Sequence, residues 1–564
     1  MTVSSATSTS TTTSSASSSS VTTSGTSTST SIDWTSLINS AVNAKLTQAT
    51  SISTSITANQ AKVTAYQALQ TDLSTLASGL TSLSSSIINS LASNAFATRA
   101  ATISSTGDVS ASAALSMTVG NGAATGDHTL QISQLAAAQK VIGSSQSSQT
   151  AALGYSGTFS IGLSGGSSSD VTITSAMSLQ DVVDTINAQT STTNVQASIV
   201  QVSSGSYELV LTGTKDAADI SYSSKSGDDI LNKLGVTGSS GAFTDVLQAS
   251  QSAKFTLDGI AMTRDTNDVS DVLSGVTFNL LAATPSGTTI NVSISTDTSQ
   301  ISSALQTFVT NYNAYRDAVI AQQATNTDGT ASSSAVLFGD GTMRDITNRL
   351  EAALTGTVGG LTMSDLGLSF NDKNELALDT SALSSILTSN LSGVAKLLAA
   401  QTTTSSSQLT VVNTGTAPQS FTLDLTVDSS GALTGASVGG DSSLFTISGT
   451  SIIGKAGSIY AGMAFTYGGT SSQSITVTST SGIAAQIYQI ANAYSKSTGS
   501  LQTLITGLQD RDTTLQQKVD DIDNAAAAFK AQLQTQYAKY QAAIQSADNT
   551  LNYLKALLNS GSSN

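Results

Sequence analysis

The sequence predicts a multidomain α+β chain. Its terminal helices pair as a coiled-coil leg, a helical bundle forms a neck, β-rich domains form a head, and an extra β insert lies near the C-terminal helix. Three observations predict this: helical apolar periodicity at both chain ends, period-two alternation in the middle, and a length of 564 residues, well beyond the roughly 250 to 300 that one core supports.

Residues 1–31 are nearly all Ser and Thr, too poor in apolar side chains to offset the entropy of ordering, and are expected to be a disordered tail. The N-terminal leg helix is assigned to 32–94. From Ile32 to about Leu91 the chain has no Pro and one Gly, Gly79. Ile38, Val42, Leu46, Ala49, Ile52 and Ile56 form a helical stripe behind Asp33, the expected N-cap. Tyr66, Leu69, Leu73, Leu76, Leu80, Leu83 and Ile87 continue it in steps of three and four, as one seam of a coiled coil.

The middle reads as strands. Ile290, Val292 and Ile294 alternate with Asn291 and Ser293, and short strands are expected at 158–163, 171–173, 195–199 and 207–211. Among them a helix carries Leu179, Val182, Val183 and Ile186 behind Ser178 as N-cap. The head is assigned to 95–140 and 251–296, with an outer head domain inserted at 141–250. The neck, 297–401, holds helices at 301–322 and 343–354. A β subdomain inserted at 402–480 includes strands at 421–427 and 473–478.

The C-terminal leg helices are assigned to 481–564. Ile505, Leu508, Asp512, Leu515, Val519, Ile522, Ala526, Phe529 and Leu533 again step by threes and fours. The stripe runs on through Tyr540, Ala543 and Ala547 and shifts to Leu551, Leu554 and Leu558, a stutter in the supercoil. Asp512 is expected to weaken the seam locally. Neither helix is expected to be stable without a partner for its stripe.

Composition narrows the function. Only 10% of residues are charged and the formal net charge is -15. No Lys/Arg cluster offers a footprint for nucleic acid or anionic lipid. No apolar run approaches the roughly 18 residues of a membrane helix. The first basic residue is Lys45, so the N-terminus lacks the positive region of a secretory signal. With Cys 0, thiolate catalysis and disulfides are excluded.

The single histidine, His128, excludes His-dependent triads and His-rich metal sites by count, and reads as a solvated turn residue in Gly126-Asp127-His128. P-loop, GxSxG and HExxH patterns are absent. Asn371, Asp372, Asn374, Glu375 and Asp379 miss the EF-hand spacing and read as a hairpin turn. Asp520, Asp521 and Asp523 read as a solvated helix face. The expectation is no catalytic residue, no metal, no cofactor and no enzyme.

Ordered segments carry a resemblance. The opening Ile32-Asp33-Trp34-Thr35-Ser36-Leu37-Ile38 before the heptad helix, Ala95 to Ala100, and Gly126 to Gln139 resemble the flagellar hook-associated protein 2 family. So do Phe255 to Ile260, Asn267 to Val272, Gly275 to Phe278, Phe308 to Asn313, Leu337 to Asp340 and Leu366 to Leu368. Residues 158–211 resemble the small β-α-β motif of flagellin and hook proteins, and 402–480 are assigned no resemblance.

The resemblance implies a structural cap at the flagellar tip that promotes flagellin folding and polymerisation. Its implied partners are further copies of itself in a ring, flagellin, hook-filament junction proteins and an export chaperone. Neither nucleic acid nor membrane insertion is implied. Localisation would be extracellular, at the filament tip, after export without a cleaved signal peptide. The coiled-coil and oligomer interface would use Tyr66, Leu69, Leu73, Leu76, Leu80, Leu83, Ile87, Ile505, Leu508, Leu515, Val519, Ile522, Phe529, Leu533, Leu551 and Leu554. Another axial protein, flagellin or a junction protein, and a surface adhesin are the competing readings.

Overall fold

The computed structural model describes residues 33–86, 93–107, 109–414 and 420–561, with side chains to residue 558. The 1–31 tail and Ile87 lie outside the described residues. The chain forms two compact units, Met1–Thr64 with Ile505–Asn564, and Ala65–Leu504.

Two helices build the first unit, drawn from Trp34–Ser84 and Ser500–Gly561. The N-terminal one starts where Asp33 accepts a hydrogen bond from the Ser36 amide at 3.0 Å, which satisfies an amide that has no partner inside the helix. At the other end of the sequence, helix 483–495 stops and a new helix begins at Ser500. Gly499 sits in that break, where a Cβ would lie 2.6 Å from the Ala493 carbonyl oxygen.

The second unit contains the neck, the head and the insert. In the neck, Leu69, Leu73, Leu76, Leu80 and Leu83 are at most 1% exposed. Polar contacts identify their neighbours. Tyr66 donates its hydroxyl to Asp340 at 2.6 Å, and Asp340 also caps helix 341–354 through the Met343 amide. Gln70 donates to the Ser495 carbonyl at 3.0 Å, and Asn311 of helix 298–322 donates to the Thr75 carbonyl at 3.1 Å. This corrects the expectation of a single leg seam: the stripe from Tyr66 to Leu83 is the core of a multi-helix neck. A two-helix seam leaves flanking positions wet, whereas these leucines are enclosed on several sides. Gly79 is part of the same packing, since a Cβ there would lie 2.5 Å from Asn311 Nδ2.

The end of this helix is a joint. The last carbonyls of a helix lack intrahelical partners, and here other segments supply them. The Ala95 amide donates to Ser82 O at 2.9 Å, the Ala400 amide to Ser84 O at 3.0 Å, and the Asn94 side chain to Ser85 O at 2.6 Å. Asn94 is fully buried, and its own oxygen accepts the Phe96 amide at 2.8 Å. Head, insert and neck therefore meet at one helical turn.

The head has a five-stranded sheet, ordered 99–105, 290–296, 126–134, 253–257 and 260–264, facing a three-stranded sheet of 268–273, 276–280 and 115–119. Leu130, Ile132, Phe255, Phe278, Val292 and Ile294 fill the space between them. The outer head has its own core under two further sheets, and its helix 179–187 begins with a reciprocal capping box of Ser178 and Asp181.

His128 is not a turn residue. It lies in strand 126–134 opposite Val292, and its Nδ1 is 2.7 Å from Asp258 Oδ2. Asp258 and Gly259 both have positive φ, 50° and 79°, as the tight two-residue turn of the 253–264 hairpin demands. Asp258 also accepts the Thr129 amide at 2.8 Å. The hydrogen bonds from His128 and Thr129 hold its carboxyl below the usual carboxylate range. The Asn371–Glu375 stretch is a hairpin turn in which Asn371 accepts the Lys373 and Glu375 amides at 2.9 and 3.0 Å.

Two outcomes follow. Asn94→Ala removes both polar contacts of a buried amide and should cost about 2 kcal/mol, read as a lowered unfolding midpoint of the neck. A depressed folded pKa at Asp258 contributes head stability that is present above the unfolded carboxylate value of about 4 and is lost as pH falls through the folded value. Acid titration of head unfolding should therefore show a drop below about pH 4 that is smaller in Asp258→Asn.

Candidate assembly interface of the terminal helices

In the first unit the two helices run antiparallel, and each seam contact pairs a residue early in one with a residue late in the other. Trp34 stacks on Tyr537 with ring centroids 4.7 Å apart and planes tilted by 31°. Ile38 and Val42 pack with Ala526, flanked by Leu46, Phe529 and Leu533. Ala49, Ile56 and Val519 form the next cluster, with Ile52, Leu515 and Ile522 around it. Lys45 extends its ammonium over the Phe529 ring, 4.7 Å from the centroid, so the aliphatic stem covers the seam while the charge faces a π surface.

Asp512 is not the flaw the sequence suggests. Asn59 donates to its carboxylate at 2.7 Å, so the polar position on one helix meets a polar position on the other. A charge-assisted bond of this kind offsets the loss of apolar contact. The seam is otherwise thin: the clusters contain two alanines, and most of the larger side chains around them are only half-buried.

The interface residues named from sequence fall into four groups. Ile505, Leu508, Leu515, Val519, Ile522, Phe529 and Leu533 lie along this stretch of the C-terminal helix, buried or half-buried. Tyr66, Leu69, Leu73, Leu76, Leu80 and Leu83 belong to the neck core instead. Buried within one chain, they offer no surface to a second copy. Ile87 is outside the described residues. Leu551 and Leu554 are 50% and 52% exposed, so no described helix of this chain covers them. The physical reason is length. Trp34 meets Tyr537, so the N-terminal helix ends its coverage there while the C-terminal helix continues to Gly561. At 1.5 Å per residue that is about 36 Å of helix with no facing helix among the described residues.

Tyr540, Ile544, Leu551, Leu554 and Leu558 line this overhang, and each exposes about half its area or more. With Ala547 they step by alternating fours and threes, the spacing of a coiled-coil seam. Sequence reasoning missed Trp34, Lys45 and Tyr537 as seam residues, and read Asn59 only as a polar interruption of the leg. Trp34 is the only tryptophan in the chain, which was the available signal. The Asn59–Asp512 match was hidden because each residue, taken alone, reads as an interruption.

Among the described residues no group of three or more His, Asp or Glu is placed to hold a metal ion, and no helix is long and apolar enough to cross a membrane. The site is apolar and helical. A family model described as the C-terminus of flagellar hook-associated protein 2 matches residues 250–549, more than half of the chain. The chain belongs to the flagellar hook-associated protein 2 family. The model of that family's N-terminus matches residues 30–139, and the flagellin hook IN motif matches 158–215 in the outer head.

Two curated members illustrate the distance within the family. Flagellar hook-associated protein 2 of Escherichia coli K12 is 28% identical over 321 residues, 54% of this chain and 68% of that protein. The B-type flagellar hook-associated protein 2 of Pseudomonas aeruginosa is 26% identical over 300 residues, 50% of this chain and 63% of that protein, just under two thirds of its length. Among solved structures, the D1-D2-D3 domains of the Escherichia coli flagellar cap protein align with 79% of this chain and 99% of that one, at 21% identity and a TM-score of 0.48.

Replacing Phe529 by Asp should open the terminal pair, because it places a charge on the seam and removes the ring under Lys45. The expected result is a loss of helical circular dichroism with the neck and head transitions unchanged. Leu73→Asp, in contrast, should lower the neck transition itself.

Proposed function

We propose that this family member is a structural, non-enzymatic filament cap that sits at the flagellar tip, promotes flagellin folding and polymerisation, and is required for filament elongation and motility. The observation that carries this reading is the antiparallel pairing of the first and last described helices into a thin helical unit, in which the C-terminal part of the second helix bears a heptad stripe that no described helix covers. A chain that keeps a coiled-coil seam exposed is built to meet other helices. The curated relatives named above are hook-associated proteins 2, and the solved relative is described as a flagellar cap protein.

In this role the protein works outside the cell at the growing tip. It associates with further copies of itself in a ring, with flagellin and hook-filament junction proteins, and with an export chaperone before secretion. The seam residues Ile505, Leu508, Leu515, Val519, Ile522, Phe529 and Leu533 hold the leg together, and Leu551 and Leu554 face the assembly partners. Residues 95–140 and 251–296 form the head, 141–250 the outer head and 297–401 the neck.

The thin seam suits a cap that must shift as each subunit is added. With few large side chains fully enclosed, the pair is held by several weak contacts that can be exchanged one at a time.

Deleting the gene tests the proposal. The expected strain makes hooks without filaments, releases unpolymerised flagellin into the medium, and regains filaments when the full-length gene is restored. Normal filaments with lost surface attachment would overturn the reading in favour of an adhesin, and long filaments formed by the purified protein would identify a filament subunit instead.

A further inference from the structure

We propose that residues 401–480 form an autonomously folding passenger module, joined to the neck at a single two-chain root, and that the assembly-bearing part of the chain does not need it. The second half of this statement rests on the capping role proposed above. The first half rests on packing alone.

The segment has a core of its own. Strands 401–404, 473–480, 420–427 and 433–437 form one four-stranded sheet, and 409–414, 463–467, 451–454 and 445–448 form a second. Leu423, Ile452, Met463, Phe465, Ile475 and Val477 are essentially dry between them, in a cluster that contains no neck residue. The Tyr460 ring lies against both Phe421 and Phe445, with centroids 4.7 and 5.1 Å away. At the root the Gln401 side chain donates to the Ala395 carbonyl of the neck at 3.4 Å; beyond it, strand pairing and turn hydrogen bonds such as Asp424 with Ser474, Ser406 with Gln473, and Asp428 with the Ser430 and Ala432 amides join the segment's own residues. About 80 residues around one closed core are enough to fold without help from the neck.

The root explains how such a module can be carried. Its first and last strands pair antiparallel, Gln401 opposite Thr480, so the chain leaves and re-enters the neck at nearly one point. Just below, the Gly482 amide donates to the Ala399 carbonyl at 3.1 Å, and the Ala400 amide donates to Ser84. A Cβ on Gly482 would lie 2.4 Å from the Leu398 carbonyl carbon. The two crossing chains thus pass at backbone contact, and the neck is closed beneath the module. An antiparallel pair with adjacent ends can be joined by a two-residue turn without moving either strand.

Hydrogen exchange on the full-length chain tests the folding half. Phe465→Asp should raise exchange in 402–480 by at least about tenfold while the helices around Leu69–Leu83 and Ile483–Ala491 stay within about twofold of the parent. Loss of protection in those helices as well would overturn the proposal. A second variant replaces 402–479 by Asn-Gly, and should keep the neck transition and restore filaments to the deletion strain. If it keeps the neck but fails where the full-length gene succeeds, the module is part of assembly and the proposal is wrong. If the deletion strain never lacked filaments, the capping role falls, and the exchange result still decides whether the module is autonomous.

Discussion

Two helices of 51 and 62 residues with sparse apolar stripes cannot persist alone in water, and this constraint organises the molecule. Helix formation in such sequences is sustained by tertiary contact, not by propensity. Each terminal helix must therefore find the other, and everything between them has to return the chain to the place where it started. Head, outer head and insert obey this requirement in the same way. Each leaves and re-enters its host through adjacent strands, so none of them separates the ends.

The joint at the end of the N-terminal helix converts that requirement into geometry. Three carbonyls that a helix cannot satisfy are taken by an amide from the head, an amide from the insert root and the buried Asn94. One turn of helix thereby fixes where two domains are attached. The capping contacts elsewhere are local, such as Ser178 with Asp181 and Asp340 with Met343. Tyr66 adds a long-range element, because its hydroxyl rests on the same Asp340 that starts the next neck helix.

Periodicity in the sequence was enough to place both long helices, the alternating strands around Val292 and the capped helix at Leu179, since each is dictated by spacing of apolar residues. It did not distinguish a two-helix seam from a bundle. Leu73 and Ile52 occupy similar positions in their stripes, yet one is enclosed by several helices and the other is half-buried in a pair. The number of facing helices is a property of distant segments, and the stripe is silent about it. His128 reads differently for a related reason: its local neighbours suggest a turn, while its strand partner Val292 and its side-chain partner Asp258 lie about 160 and 130 residues further along the chain. Asp512 read as a defect because its complement, Asn59, is remote in sequence.

The contact of Trp34 with Tyr537 joins positions about five hundred residues apart, which costs little in stability but much in time, because loop closure grows slowly with length while non-local contacts delay folding. Synthesis proceeds from the N-terminus, so the seam can form only after the chain has been made as far as Tyr537. A chain that stops early can complete its head, outer head and much of its neck and still have no second strand for Ile38, Val42 and Ala49. The terminal pair is in this sense a record of translation: only a molecule synthesised past Tyr537 can present a closed leg.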